Sequence, residues 1–544
     1  MRHRPIRRGL RPTGQTDSSR TGSSHTASGD TIAGRTTAGA GRCHTEAVHR
    51  PPGRALRALL AAFSVVAIGA CTPEPDADWM PPPTEAPIST SPTPAPVFVG
   101  WSDPSKVGQP YGDKVAGLLT FRGNPTRTYY GTGPVPRVTP SKLWRFPKSG
   151  GMCAESRDER GVRLWCGSGW TGQPAVFERE GRTWVVFGAY DRKVHFLDAQ
   201  TGERILPDFP TGDIIKGSVT VDPDGYPLVY TGSRDNYFRI IAIDRDRPTE
   251  LWRLSAYDVS PTMWNDDWDG AALIIDDYLF EGGENSQFHI VKLNRGYDAQ
   301  GRVTVDPELV FHTPGWDEQL LRDVRDRDIS IENSVAIYRD VVYFANSGGL
   351  VQGWDISGLK NGKVPERVFR YWTGDDTDAT IAIDEEGMLY VGVEYDRKTA
   401  RGKEVGQMIK LDPSRADPLV WGVKDQGSGL HGVFGSPALY KDIAIFDTNS
   451  GEVLGIDRAN GTVRWRFNLP APTWQSPVVV DDVLIIGDCA GDLHAYDVSD
   501  THADPKPLWT ITIGGCIEST PAVWKGRLYF GTRAGAFIAV GLAP

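Results

Sequence analysis

The sequence predicts an all-β fold: an eight-bladed β-propeller of four-stranded antiparallel blades, its ring closed by an N-terminal strand. Three observations carry that prediction. Residues 434–467 read as four short strands, because β-branched and aromatic residues recur at near period two and Asn449-Ser-Gly and Ala459-Asn-Gly supply the positive φ of tight turns. The same phrase recurs along the chain, closed by aromatics at Trp252, Phe311, Phe369, Trp421, Trp465 and Trp509 that lie 44 to 59 residues apart, the period of a blade with some long loops. One such sheet leaves two apolar faces uncovered, so each copy needs neighbours of its own kind.

Taken in order, the innermost strands begin near Gly172, Gly217, Asp269, Asn333, Ala379, Gly435, Gln475 and Ser519. The eighth copy ends after Ile538-Ala-Val with no fourth strand, while Lys142-Leu-Trp-Arg-Phe146 stands ahead of the first copy without a sheet of its own. Pairing the two closes the ring and removes both free sheet edges. Copies three to five are divergent, and a seven-bladed ring is the alternative if Asp269 to Phe311 is an insertion.

The phrases Phe121-Arg-Gly-Asn-Pro, Ser-Pro-Ala-Val and Asp-x-x-x-Gly-x-x-x-Trp resemble the repeat of the quinoprotein-dehydrogenase-like, or pyrroloquinoline-quinone (PQQ) repeat, β-propellers. The resemblance covers roughly residues 118–544. It implies the fold and leaves the activity open, since that family holds dehydrogenases, lipoprotein scaffolds of outer-membrane protein assembly and sensor domains. For the dehydrogenases it implies a quinone held between a Trp floor and a vicinal disulfide, with calcium and an Asp base. This sequence has no adjacent Cys pair, no Cys-x-x-Cys-His haem site, and no Gly-x-Ser-x-Gly, His-Glu-x-x-His or P-loop motif.

Ahead of the repeats the chain divides by composition. Residues 1–53 form a basic leader rich in Arg, Gly, Ser and Thr that cannot bury a core. It reads either as sequence upstream of the true translation start, with Val48 as the first codon, or as a basic cytoplasmic tail. Residues 54–71 read as a lipoprotein signal peptide: Arg54 and Arg57, an apolar run too short to span a bilayer, then Ala67-Ile-Gly-Ala-Cys71, which resembles a lipobox with Cys71 as the lipidated residue. Residues 72–99 are a Pro-, Thr- and Ser-rich linker, and 100–544 the propeller. The expected location is a cell membrane, lipid-anchored on its extracytoplasmic face.

The first 70 residues hold 11 basic and 3 acidic residues, so the remainder carries 48 against 66 and a net charge near −18. Such a body, without a Lys/Arg stripe, excludes nucleic acid as a partner. Cysteines 153, 166, 489 and 516 are an even set in an exported domain, which predicts disulfides. In a propeller, loops joining strand two to three and strand four to the next blade share a face. Cys489 and Cys516 occupy one of each on adjacent blades and are expected to pair, with Cys153–Cys166 closing a hairpin ahead of blade one. A four-cysteine metal site is the rival, although no Cys-x-x-Cys spacing is present.

That loop face surrounds the channel mouth, where propellers place ligands. Aligning the copies puts Thr171, Lys216, Trp268, Glu332, Asp378, Phe434, Trp474 and Glu518 at one position per blade, with Asp269, Asn333 and Gln475 beside them. Carboxylates, a lysine and aromatics together suit a cation, a sugar or a planar ligand; the alternative is a rim satisfied by water. Asp266, Asp267 and Asp269, and Asp375, Asp376 and Asp378, are calcium candidates by density of hard oxygen, though neither group has EF-hand spacing. The expected function is a non-catalytic, monomeric, lipid-anchored propeller that needs no cofactor and binds a protein partner or small ligand through its loop face. The alternatives are an oxidoreductase dependent on PQQ and calcium, and a carbohydrate or cell-wall binder that stacks sugars on Trp268, Phe434 and Trp474.

Overall fold

In the computed structural model, residues 98–158, 161–170, 172–427 and 431–543 are described. The leader, the signal segment with Cys71, the linker as far as residue 97, and Thr171 lie outside the described residues. Eight sheets follow one another along the chain: blades two to seven have four antiparallel strands each, blade one adds Gly117–Leu118 as a fifth, and blade eight is completed by Gly131–Thr132 and Ser141–Phe146. Blade three, Leu273–Ile275, Tyr278–Gly282, Gln287–Lys292 and Glu308–Pro314, is a complete sheet, so the ring has eight blades and Asp269 to Phe311 is no insertion. Among the described residues no helix is long and apolar enough to cross a membrane.

Local sequence chemistry sets the blade. Strands one and two are joined in blades three and seven by the pairs Asp276-Asp277 and Asp481-Asp482, all at positive φ (48°, 71°, 51° and 63°), the backbone of a type I′ hairpin that matches strand twist. Each inner strand is entered through a small or amide residue because the next blade's backbone comes close: a Cβ on Gly217 would lie 2.3 Å from the Asp269 carbonyl oxygen, and one on Gly435 2.6 Å from that of Gln475. The following Ser or Thr then links the ring. Backbone N–H groups of Ala271, Ser334, Thr380 and Ser436 donate to the hydroxyls of Ser334, Thr380, Ser436 and Ser476, each at 2.9 Å and each on the next blade.

The ring closes as the orphan strand predicts. Ser141–Phe146 is the outer strand of blade eight, antiparallel to Ala536–Gly541, with Phe146 opposite Phe537. Trp144 carries this closure into blade one, where its indole Nε1 donates to the Ala199 carbonyl at 3.0 Å. Phe537 stacks on Phe187 of blade one at 3.8 Å between ring centres.

The segment between residues 111 and 132 has a role the repeat pattern does not reveal: it plugs the channel on the face opposite the 2–3 loops and bonds to all eight blades. The carbonyls of Ala116, Leu119, Pro125, Thr126 and Thr132 accept from the N–H groups of Glu178, Val221, Ile337, Ile383 and Lys525. The hydroxyls of Tyr111 and Tyr130 accept from Ile274 N and Leu439 N, and Arg122 donates to the Pro477 carbonyl. Arg122 and Arg127 are both fully buried; the terminal nitrogens of Arg122 and all three nitrogens of Arg127 donate to backbone carbonyls. This explains why Phe121-Arg-Gly-Asn-Pro stands outside the blade pattern.

Candidate functional site at the channel mouth

Above the plug, blades two to eight each present the residue that precedes the inner strand. In blade three that residue is Asp269, not Trp268: Asp269-Gly270-Ala271 aligns with Lys216-Gly217-Ser218, and a shift of one residue turns a side chain to the other side of an extended segment. Trp268 is 1 % exposed, packs against Phe238 and His289, and donates its indole N–H to the Asn236 carbonyl at 3.1 Å. It is a docking residue between blades two and three, and no sugar or quinone can stack on it. Asn333 and Gln475 are likewise corrected. Both are buried; the Asn333 amide donates to the Ala345 and Thr377 carbonyls, and the Gln475 amide to the Ser519 carbonyl at 2.7 Å, so they pin adjacent blades.

Phe121, Trp170, Asp269, Glu332, Asp378 and Phe434 enclose the space at the centre. The volume open to the centre of a water-sized sphere is about 20 Å³, enough for a water molecule or a single ion. Trp474 is half-buried further round the ring. Glu518 accepts from Arg533 at 3.1 Å, close to the Cys489–Cys516 disulfide. That bond joins the 2–3 loop of blade seven to the loop entering blade eight; the second, Cys153–Cys166, ties the hairpin Cys153–Asp158 and Gly161–Cys166 across its open end.

Two groups of buried carboxyls flank the space, and they are neutralised differently. On the blade-three side the Lys216 ammonium lies 2.5 Å from Asp269 Oδ2, 2.6 Å from Glu284 Oε1 and 3.1 Å from Asp267 Oδ2. Arg234 adds a second cation 2.6 Å from Asp267, and the Asn265 amide donates to Glu284 at 2.9 Å. Burial alone would lower the Lys216 pKa, but Asp269, Glu284 and Asp267 outweigh it and hold the amine well above its ordinary value. Glu284 is pushed well above the carboxyl range by burial and then by Asp267.

On the side of blades four to six, Glu332 and Asp378 accept from the hydroxyls of Ser330 and Ser347, each at 2.9 Å, and Glu394 accepts from the Asn449 amide at 2.7 Å. Arg397 approaches Asp376 at 3.5 Å. Burial is the leading reason that Glu332, Asp376, Asp378 and Glu394 all sit well above the usual carboxyl range. Each is raised further by a carboxyl neighbour: Asp378 for Glu332, Glu394 for Asp376, Asp376 for Asp378, and Asp378 for Glu394. The other calcium candidates are engaged elsewhere. Asp266 accepts from the Tyr257 hydroxyl at 2.6 Å, and Asp375 accepts from the backbone N–H groups of Asp376 and Arg397. The sequence named Lys216, Asp267 and Asp269 individually, while Glu284, Arg234, Glu394 and Arg397 come from 2–3 loops and carried no repeat signal.

The sequence model of the family described as outer membrane protein assembly factor BamB matches residues 385–478 and 450–542, from blade five to the end of blade eight. The stretch from blade five to blade eight thus carries the PQQ-type repeat of that family model, on an eight-bladed β-propeller. No curated protein matches the sequence. Among solved structures the propeller is similar to the computationally designed Ika8 protein (13% identity, 69% of this chain and 98% of that one, TM-score 0.46). It is also similar to the quinohemoprotein alcohol dehydrogenase of Comamonas testosteroni (13%, 79% and 81%, 0.49) and to BamB of Moraxella catarrhalis (14%, 75% and 100%, 0.36).

The residues of this propeller do not fit a quinone. A fused tricyclic ligand needs a pocket of several hundred Å³ with a flat floor, whereas the space here is about 20 Å³. Trp268 is edge-buried, and Cys489 and Cys516 are 27 residues apart in sequence, at the rim rather than above a ligand.

Proposed function

We propose that this protein is a non-catalytic propeller, tethered through Cys71 to the extracytoplasmic face of a membrane, that binds a protein partner through its loop face. The observation that carries the reading is the combination of a mouth neutralised from within and a rigid apolar rim beside it. Val162 and Leu164 on the disulfide-tied hairpin are 50 % and 66 % exposed, and Tyr257 and Trp264 on the loop entering blade three are 66 % and 45 % exposed. Arg234 stands between the two, its guanidinium 5.2 Å above the Trp165 ring and bonded to Asp267. Aromatic and aliphatic side chains held out on fixed loops are what protein recognition surfaces use. The BamB-like repeat is compatible with protein binding.

Photo-crosslinking in intact cells tests the reading. A crosslinker at Trp264 or Leu164 is expected to give one discrete protein adduct, and one at Tyr297, on the 3–4 connection of the opposite face, none. Metabolic lipid labelling should be lost in Cys71→Ser, with release of the protein from membranes. Saturable binding of PQQ by calorimetry, or adducts equally abundant from both faces, would sink the proposal.

A further inference from the structure

A quinone-dependent propeller, as the family resemblance implies it, needs a divalent cation at its channel mouth. Here the only compact set of hard ligands at that mouth among the described residues is Asp267, Asp269 and Glu284, whose carboxylate oxygens lie within 4.8 Å of one another. That spacing would suit calcium, which takes oxygen at about 2.3–2.6 Å. The centre of the set is already taken by Lys216 Nζ, bonded to all three carboxylates at 2.5, 2.6 and 3.1 Å, with its side chain 4 % exposed.

We propose that Lys216 is the resident cation of this mouth: its ammonium fills the seat that a divalent ion would otherwise occupy, so the junction of blades two and three assembles without metal.

The lysine issues from the start of blade two's inner strand, while its partners come from two different loops of blade three, the entering loop (Asp267, Asp269) and the 2–3 loop (Glu284). One ammonium therefore ties the two blades together, as a bridging ion does. It donates a hydrogen bond to Glu284 and forms ion pairs with Asp269 and Asp267, so one compact ammonium meets carboxyl oxygens of three residues, which a planar guanidinium does not fit as well. Arg234 donates to the same Asp267 oxygen that Lys216 approaches, and Asn265 to the second oxygen of Glu284, while the Trp170 ring lies 5.4 Å from Nζ on the cavity side; Asp267 Oδ1 is buried without a hydrogen-bond partner. Three carboxylates thus meet two built-in cations, and an incoming ion would have to displace a buried ammonium from a cage that holds it protonated.

The test uses the purified full chain and terbium(III), a calcium-sized ion whose emission is sensitised by nearby tryptophan; Trp268 adjoins two of the three ligands in sequence. Wild type is expected to show no emission that Asp269→Asn removes, and the same unfolding temperature in calcium and in EDTA. Lys216→Ala should gain saturable emission, with a Kd of about 10⁻³ M or tighter, lost again in Lys216→Ala/Asp269→Asn, and should unfold at a higher temperature in calcium than in EDTA. If Lys216→Ala is recovered folded only in the presence of calcium, that dependence supports the proposal equally. Emission in wild type that Asp269→Asn abolishes would overturn it. So would a folded Lys216→Ala that binds no terbium, or one that is unfolded with and without calcium, since the seat would then not be one a divalent ion can fill.

Discussion

Replacing Arg127 by Ala should loosen the whole ring, although the residue lies in no blade. Its Nε donates to the Val335 carbonyl at 2.8 Å and its terminal nitrogens to the carbonyls of Phe121 and Ala271 at 2.8 and 2.7 Å, all in a site with no exposure. Burial lowers its pKa to about 10, opposed by Tyr111 and Glu281, so it is charged at neutral pH and its bonds are charge-assisted. Truncation leaves three buried carbonyls without this donor. At roughly 1–3 kcal/mol for each unsatisfied group, less the recovered cost of burying a cation, the expected loss is about 3–5 kcal/mol. With a urea slope of about 3 kcal/mol/M, the midpoint falls by roughly 1–1.5 M. Arg127→Lys should recover only part of this, because one ammonium cannot span the carbonyls of Val335 and Ala271, which belong to adjacent blades. Urea titration followed by tryptophan fluorescence gives the midpoint, and limited trypsin digestion reports whether the plug is released first. A midpoint within about 0.2 M of wild type would refute the view that the plug braces the ring.

Further outcomes follow from the same geometry. Replacing both Cys489 and Cys516 by Ser opens a loop of 27 residues, worth about 3.5 kcal/mol of chain entropy, and should lower the calorimetric Tm by roughly 4 °C. Trp144→Ala removes the stack on Phe537 and the bond to Ala199; it should cost about 2–3 kcal/mol and speed proteolysis at the closure of blades eight and one. The carboxyls Glu332, Asp376, Asp378 and Glu394 are raised when folded, so above roughly pH 4.5 the folded state holds protons that the unfolded chain has released. Their contribution is fully present below the unfolded pKa and is lost as pH climbs towards the folded values, so the urea midpoint should fall between pH 5 and 8. Glu332→Gln/Asp378→Asn should flatten that fall; an unchanged slope would mean that these groups are ionised in the folded protein.

How much of this could be read from the chain depends on the range of the forces involved. Strand alternation and turn residues act within about ten residues of themselves, and the closing tryptophans Trp465 and Trp509 recur at the blade period, so blade identity, blade number and the orphan strand Lys142–Phe146 were legible. The two disulfides were legible too, because the loop rule of a propeller converts sequence position into a face. The channel mouth was legible only as a list of positions, and the list slipped by one residue in blade three. Trp268 is the more conspicuous residue there, yet the small residue that must follow the ring position is Gly270, which assigns the mouth to Asp269. Asn333 and Gln475 have side chains suited to ligands and spend them on neighbouring carbonyls, a distinction that needs the partner's coordinates.

The sequence by itself determined the repeating element, the number of copies and the device that closes the ring, because each is written in local pattern and in a count of strands. Only the tertiary structure decided that residues 111–132 fill the channel, that Lys216 sits among Asp267, Asp269 and Glu284, and that the space at the centre of the mouth is about 20 Å³. Those outcomes depend on which groups, 68 residues apart for Lys216 and Glu284 and 355 for Arg122 and Pro477, arrive at the same few ångströms. Charge and hydrogen-bond balance at such a point is a property of the assembled ring, and no single blade encodes it.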